Sequence, residues 1–263
     1  MAEPEPRQQE VWRRPRLAEE EAPPWSTHPG TGRPVGSWEH VPGAMGATAI
    51  AQASAAHFVA TAGLSTEQSL YGGEFEAATR TYVADGEVDS SEKVQELLGP
   101  IFEPLIALVQ RQLETRCACK LQLENAFATL YTTRSKGNRG HPDHRDFDSF
   151  GRFIAASAVL QGHTACGFEG GGLLMRTNAD GSPHVHDDDD DRQEAKEGRV
   201  EGVRGEQIKE TRVLQTMEPG DLLLLFGAFH EARPIVSGKR LSFVFFFHEQ
   251  VNSCSCGSSG VLE

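Results

Sequence analysis

Two His-x-Asp triplets lie back to back near the middle of this 263-residue chain, His141-Pro142-Asp143 and His144-Arg145-Asp146. In an extended strand, residues i and i+2 project from the same face. An imidazole nitrogen and a carboxylate oxygen in such a triplet can therefore reach one point from a rigid backbone. A histidine from a distant strand would complete a set of two histidines and one carboxylate on a single metal ion. That set favours non-haem Fe(II) and leaves positions open for substrate and O2. One such histidine is His230, inside GDLLLLFGAFHEARPIVSGKRLSFVFFFH, residues 220–248. Arg240 follows ten residues later. Its planar guanidinium suits two-point binding of a carboxylate. A lone His-x-Asp arises by chance in an acidic chain with 10 histidines, so its weight comes from the company it keeps.

The elements that must hold these residues are legible as short apolar runs. Residues 222–226 and 241–247 are too short for ordinary globular helices, and the second is rich in Phe and Val, so both read as buried strands. Residues 119–123, 126–132 and 153–160 read as further strands. The segment 168–175, FEGGGLLM, is a glycine cluster feeding a strand, where a tight turn or close backbone approach is needed. Residues 75–84 have strand character and Asp85-Gly86 closes them; residues 213–217 form a strand ahead of the Pro219-Gly220 turn. Before the sheet, Asp89 to Glu92 reads as a helix cap. Val94, Leu97, Leu98, Ile101, Leu105, Leu108, Val109 and Leu113 follow at helical spacing. Pro100 and Pro104 are expected to split or kink this helix. A short helix is also expected within 47–62.

Composition excludes some functions. With 25 basic against 38 acidic residues the chain carries −13, the wrong sign for tracking a nucleic-acid backbone. The five cysteines are odd in number and occur as Cys-x-Cys pairs and a single, a pattern of free thiols rather than a disulfide framework or zinc knuckle. No run approaches the length of a membrane span and the first residues lack an apolar signal core, so an intracellular protein, cytoplasmic or nuclear, is expected. The organisation expected is an N-terminal arm over 1–45, one domain over 46–250 and a tail over 251–263. The domain carries its motifs within 120–248 and an acidic insertion over 176–212.

Taken together, the order of features closely resembles the Fe(II)- and 2-oxoglutarate-dependent dioxygenases, in particular their prolyl 4-hydroxylase-like branch. That order is a strand ending in tyrosine, His-x-Asp, a buried strand, Phe-x-Gly-Gly-Gly-Leu, Pro-Gly-Asp before an apolar strand, His, then Arg-x-Ser. The resemblance implies a double-stranded β-helix, a jelly roll of two facing antiparallel sheets with helical support from the N-terminal half. It implies that His230 is the distal iron ligand, that Arg240 with Ser242 anchors the far carboxylate of 2-oxoglutarate, and that Tyr131 hydrogen-bonds this cosubstrate. For the proximal pair, His144 with Asp146 is favoured, because Pro142 removes a ladder donor and the second triplet sits closer to the next strand. His141 with Asp143 stays open as the alternative, since its spacing from Tyr131 is closer to the family's. The activity implied is hydroxylation by O2 with release of succinate and CO2, with ascorbate a candidate reductant. The substrate is a small molecule, peptide or protein side chain, a peptidyl proline by analogy with the branch. The rival readings are a jelly-roll binding module without turnover and a cupin-type metal enzyme that uses no 2-oxoglutarate.

Overall fold

Apolar residues alternate between two faces along the longest strand, and both faces are covered. In the computed structural model, which describes residues 27, 31–62, 78–84, 92–133, 141–146, 155–177 and 211–250, that strand is β11, Ile235–Glu249. It pairs antiparallel with β3 (Leu121–Thr132) on one side and β5 (Ala156–Gln161) on the other. Outward from these lie β2 (Ala78–Ala84) beside β3, and β9 (Leu222–Phe226) then β1 (Ser37–Val41) beyond β5. The short β6 (Phe168–Gly170) pairs with the first part of β11. A second, four-stranded sheet runs β4 (His141–His144), β10 (His230–Ala232), β7 (Leu173–Thr177), β8 (Thr211–Gln215).

Leu241, Phe243, Phe245 and Phe247 of β11 are fully buried on the side that meets two helices, α1 (Ala47–Thr61) and α2 (Glu92–Glu114). The α2 face that docks there is Leu98, Phe102, Leu105, Val109 and Leu113, at i, i+4, i+7, i+11 and i+15. The intervening residues of the larger sheet point the other way. Tyr131, Val159, Leu223 and Leu225 share a cluster with Leu173, Met175 and Ala232 of the smaller sheet, so the space between the sheets is an apolar chamber. This is the expected jelly roll, mainly β with two supporting helices.

Several local outcomes differ from the sequence reading. The two runs expected around 119–132 are one strand, because β3 bulges near Glu124 instead of breaking. Helix α2 runs unbroken through Pro100 and Pro104. Each proline removes one backbone donor, while the buried stripe holds the turns on either side. Ser37–Val41, within the stretch read as an arm, zips onto β9. Strand β11 starts at Ile235, well ahead of the apolar run 241–247. The expected tail and nearly all of the expected acidic insertion lie outside the described residues. No helix among the described residues is long and apolar enough to cross a membrane.

Candidate metal and cosubstrate site

Register decides which side chains meet. On the smaller sheet, His230 lies directly opposite His144 of β4 and opposite Met175 of β7. Asp146 follows β4 by two residues. Together His144, Asp146 and His230 place their ligand atoms within 4.8 Å of one another. The rings of His144 and His230 have centroids 4.3 Å apart. Asp146 Oδ1 is 3.6 Å from His144 Nε2 and 4.0 Å from His230 Nε2. Both distances are too long for hydrogen bonds, so the facing atoms are not spent on each other.

The remaining atoms of these groups are fixed from behind. His230 Nδ1 donates to the Ala228 carbonyl at 3.0 Å, which leaves the lone pair on Nε2 facing the cluster. Burial lowers the His230 pKa, and nearby His144 acts in the same direction against weaker opposition from Asp146 and Ala228. The ring is therefore neutral at neutral pH, the form that binds metal. Burial pushes the Asp146 carboxyl up, but His230, His144 and a hydrogen bond from Ser157 Oγ to Oδ2 together hold it below the ordinary carboxylate range. Asp146 is thus anionic, with Oδ2 anchored and Oδ1 free to ligate. Two imidazoles and a fixed carboxylate suit a divalent first-row metal with open positions.

Arg240 enters the chamber from β11. It is 2% exposed, its Nε donates to Gln161 Oε1 at 3.1 Å and its Nη1 to the Gly172 carbonyl at 3.4 Å. Among the described residues, Nη2 has no hydrogen-bond partner. Burial lowers the Arg240 pKa while Tyr131 opposes it, and a guanidinium stays charged regardless. Two residues on and on the same face, Ser242 Oγ is buried and has no partner among the described residues. Tyr131 lies opposite Arg240 in the ladder, its ring 5.7 Å from the guanidinium carbon. A charged donor and a hydroxyl, both buried and both incompletely paired, are what a small carboxylate would satisfy. Gly171 and Gly172 lie beside the Arg240 side chain, and Gly172 offers it a carbonyl. Both have positive φ, and a side chain at Gly172 would come within 2.9 Å of the Gln215 carbonyl.

No family model matches the chain, and no curated protein does. Solved structures do match. The epimerase SnoN from nogalamycin biosynthesis, described as non-haem and alpha ketoglutarate dependent, aligns with TM-score 0.54 over 81% of this chain and 78% of its own at 20% identity. Its complex with Fe3+, alpha ketoglutarate and nogalamycin RO gives 0.51 at 17% identity, with the same shares covered. The carbocyclase SnoK from the same biosynthesis gives 0.52 at 12% identity, over 81% of this chain and 79% of its own. The fold is that of the 2OG-Fe(II) oxygenases. A Pseudomonas putida prolyl-4-hydroxylase also matches, with TM-score 0.42 at 15% identity over 81% of this chain and 92% of its own.

On this 2OG-Fe(II) oxygenase fold, the His-x-Asp triplet brought beside His230 is the second one. His141 lies at the other end of β4, opposite Ala232. The side chains of residues 141–143 are outside the described set. Two residues of the site were not singled out from sequence, Ser157 and Gln161. Both stand on the chamber face of β5, Ala-Ser-Ala-Val-Leu-Gln, as the polar positions of an otherwise apolar strand. A hydroxyl or amide at such an inward position must find a partner, and that is the signal that could have flagged them. Beyond Arg240, a cavity of about 570 Å³ is lined by residues that include Gln161, Thr164, Phe168, Met217, Glu218 and Arg240 itself.

Proposed function

We propose that the chain is an Fe(II)- and 2-oxoglutarate-dependent dioxygenase that hydroxylates a substrate carbon and releases succinate and CO2. The observation that carries this reading is one chamber with two complementary ends. At one end, two imidazoles and an anionic carboxylate converge; at the other, a buried guanidinium and a buried hydroxyl have unfilled hydrogen-bonding capacity. A dicarboxylic oxo acid has one end for each. The likeness in fold to SnoN, whose complex holds Fe3+ and alpha ketoglutarate, agrees with this.

His144, Asp146 and His230 would hold the iron, and Arg240 with Ser242 the far carboxylate, with Tyr131 beside it. Bound there, iron and 2-oxoglutarate supply the oxidising power that breaks a substrate C–H bond. The protein's own contribution is positional. Ser157 and the Ala228 carbonyl fix ligand orientation, Gln161 and Gly172 fix the guanidinium, and Leu223, Leu225, Val159 and Met175 keep water from the chamber. No side chain is needed as a nucleophile. The substrate we favour is a peptidyl proline or another protein side chain, by resemblance to the prolyl 4-hydroxylase-like branch.

The buried, incompletely paired Arg240 distinguishes this reading from a cupin-type enzyme without 2-oxoglutarate. Arg240→Ala should raise KM for 2-oxoglutarate by roughly 10-fold or more, since a charge-assisted contact is worth about 1.5–3 kcal/mol or better when bidentate. The measurement is Fe(II)-dependent succinate release across 2-oxoglutarate concentrations. An unchanged KM would remove Arg240 from the site, and no succinate from the parent protein would favour a non-catalytic binding module.

A further inference from the structure

A polar side chain that the proposed reaction leaves unused lies level with the metal cluster. Asn125 of β3 is directly opposite Phe246 of β11, and Phe246 is directly opposite Ser157 of β5. Ser157 is the residue that holds Asp146. With neighbouring strands ~4.8 Å apart, the Cα atoms of Asn125 and Ser157 are about 10 Å from each other across the sheet. Residues directly opposite in a ladder share a face. Phe245 and Phe247 face the helices, so Phe246 and its partner Asn125 face the chamber.

The local backbone is adapted to this placement. After Phe246 the register slips, so that Phe247 pairs with Leu123 and Glu124 is left as an extra residue. Leu123 still packs on the helix-side core, while Glu124 contacts His248 through Oε2 and Nε2. A bulge re-aims the side chains beside it, and bulges concentrate next to functional sites. The outcome here is a carboxamide whose Oδ1 is buried with no hydrogen-bond partner. Among the described residues its Nδ2 has none either. An unpaired buried amide destabilises a folded chain, so its presence asks for a ligand that completes it.

A carboxamide offers one acceptor and a donor side by side. In an extended peptide, the N–H and C=O of a single residue point to the same side, which is why antiparallel partners exchange two hydrogen bonds at once. Asn125 can therefore stand in for a strand partner to one residue of an extended peptide. An apolar substrate would leave both ends unpaired, and a lone hydroxyl could meet one.

We infer that Asn125 is a specificity-determining residue that docks the backbone of an extended peptide substrate beside the metal centre. This rests on the dioxygenase reading above and adds to its peptide substrate the residue that docks it. The probe is a set of N-acetylated, C-amidated pentapeptides carrying each of the twenty residues at the centre, tested for stimulation of Fe(II)- and 2-oxoglutarate-dependent succinate release. For the best peptide, each backbone N–H is then replaced in turn by an ester oxygen, and each version is measured with the parent protein, Asn125→Leu and Asn125→Ser. The expected result is a loss of about tenfold or more in kcat/KM for one ester position with the parent, and a similar loss for the all-amide peptide with either variant. The two losses should not add, because they remove the same contact. Losses that add, variants that turn over the peptide at the parent's kcat/KM, or no stimulation by any peptide while the Fe(II)-loaded protein still binds 2-oxoglutarate, would overturn the inference. Absence of 2-oxoglutarate binding would instead overturn the dioxygenase reading. If the leucine variant fails to fold, the smaller serine variant carries the comparison.

Discussion

At the scale of single residues, the site depends on groups that hold the ligands more than on additional ligands. Ser157 occupies one oxygen of Asp146 and so presents the other to His144 and His230. Removing such a partner costs about 10–100-fold in metal affinity in comparable sites. Ser157→Ala should weaken anaerobic Fe(II) binding by that order, and Ser157→Thr should restore most of it, because threonine keeps the hydroxyl and suits a strand. An alanine variant that titrates like the parent would mean the hydrogen bond does not position the carboxylate. Sequence alone favours His144 but leaves His141 open, since both have the same spacing to their aspartates. The observation that supports the proposal of His144 is cross-strand register, His144 opposite His230 and His141 opposite Ala232. Register is a property of the folded sheet, and a short four-residue strand carries too little apolar pattern to specify it locally.

At the scale of elements, the larger sheet is backed on its outer face by α1 and α2. Helix α1 shows how little of that was legible. It is a run of small residues with weak amphipathic pattern, and it buries Ile50, Ser54 and His57. Helix α2, with its regular stripe, was readable, although its prolines suggested a break that tertiary packing overrides. His57 is 3% exposed, neither ring nitrogen has a partner among the described residues, and its ring packs edge-on against Phe58 and Phe243. Burial lowers its pKa from 6.5 to about 4. A folded pKa below the unfolded one means that the unfolded chain takes the proton first. Stability from this group is full above pH 6.5 and is lost as pH falls toward 4. The difference is worth about 3 kcal/mol. His57→Phe should keep the ring contacts and remove the titration. Its melting temperature should fall less than the parent's between pH 7.5 and pH 4.5, on the order of that energy. Parallel melting profiles for the two proteins would refute the assignment.

At the scale of the whole molecule, the two sheets divide the labour. The smaller sheet brings together His144 and His230, with Asp146 just past its strand end, and the larger sheet supplies Arg240, Ser242, Tyr131 and Asn125 along the facing wall. Apolar runs at 222–226 and 241–247 made the inner strands of that wall visible in the sequence, because burial on both faces leaves little room for polar residues. The crossovers that set the sheets face to face, the edge strand β1 and the bulge beside Asn125 were not visible. They arise from pairings between segments distant in the chain. The chain's acidity, −13 overall, favours basic partners over nucleic acid. The most direct test of the central claim is anaerobic addition of 2-oxoglutarate to the Fe(II)-loaded protein, read by the visible charge-transfer band that a chelating 2-oxo acid gives on Fe(II). The parent protein and His141→Ala should show the band, and His144→Ala and His230→Ala should not. A band that survives in His144→Ala or His230→Ala, or that disappears in His141→Ala, would contradict the assigned site.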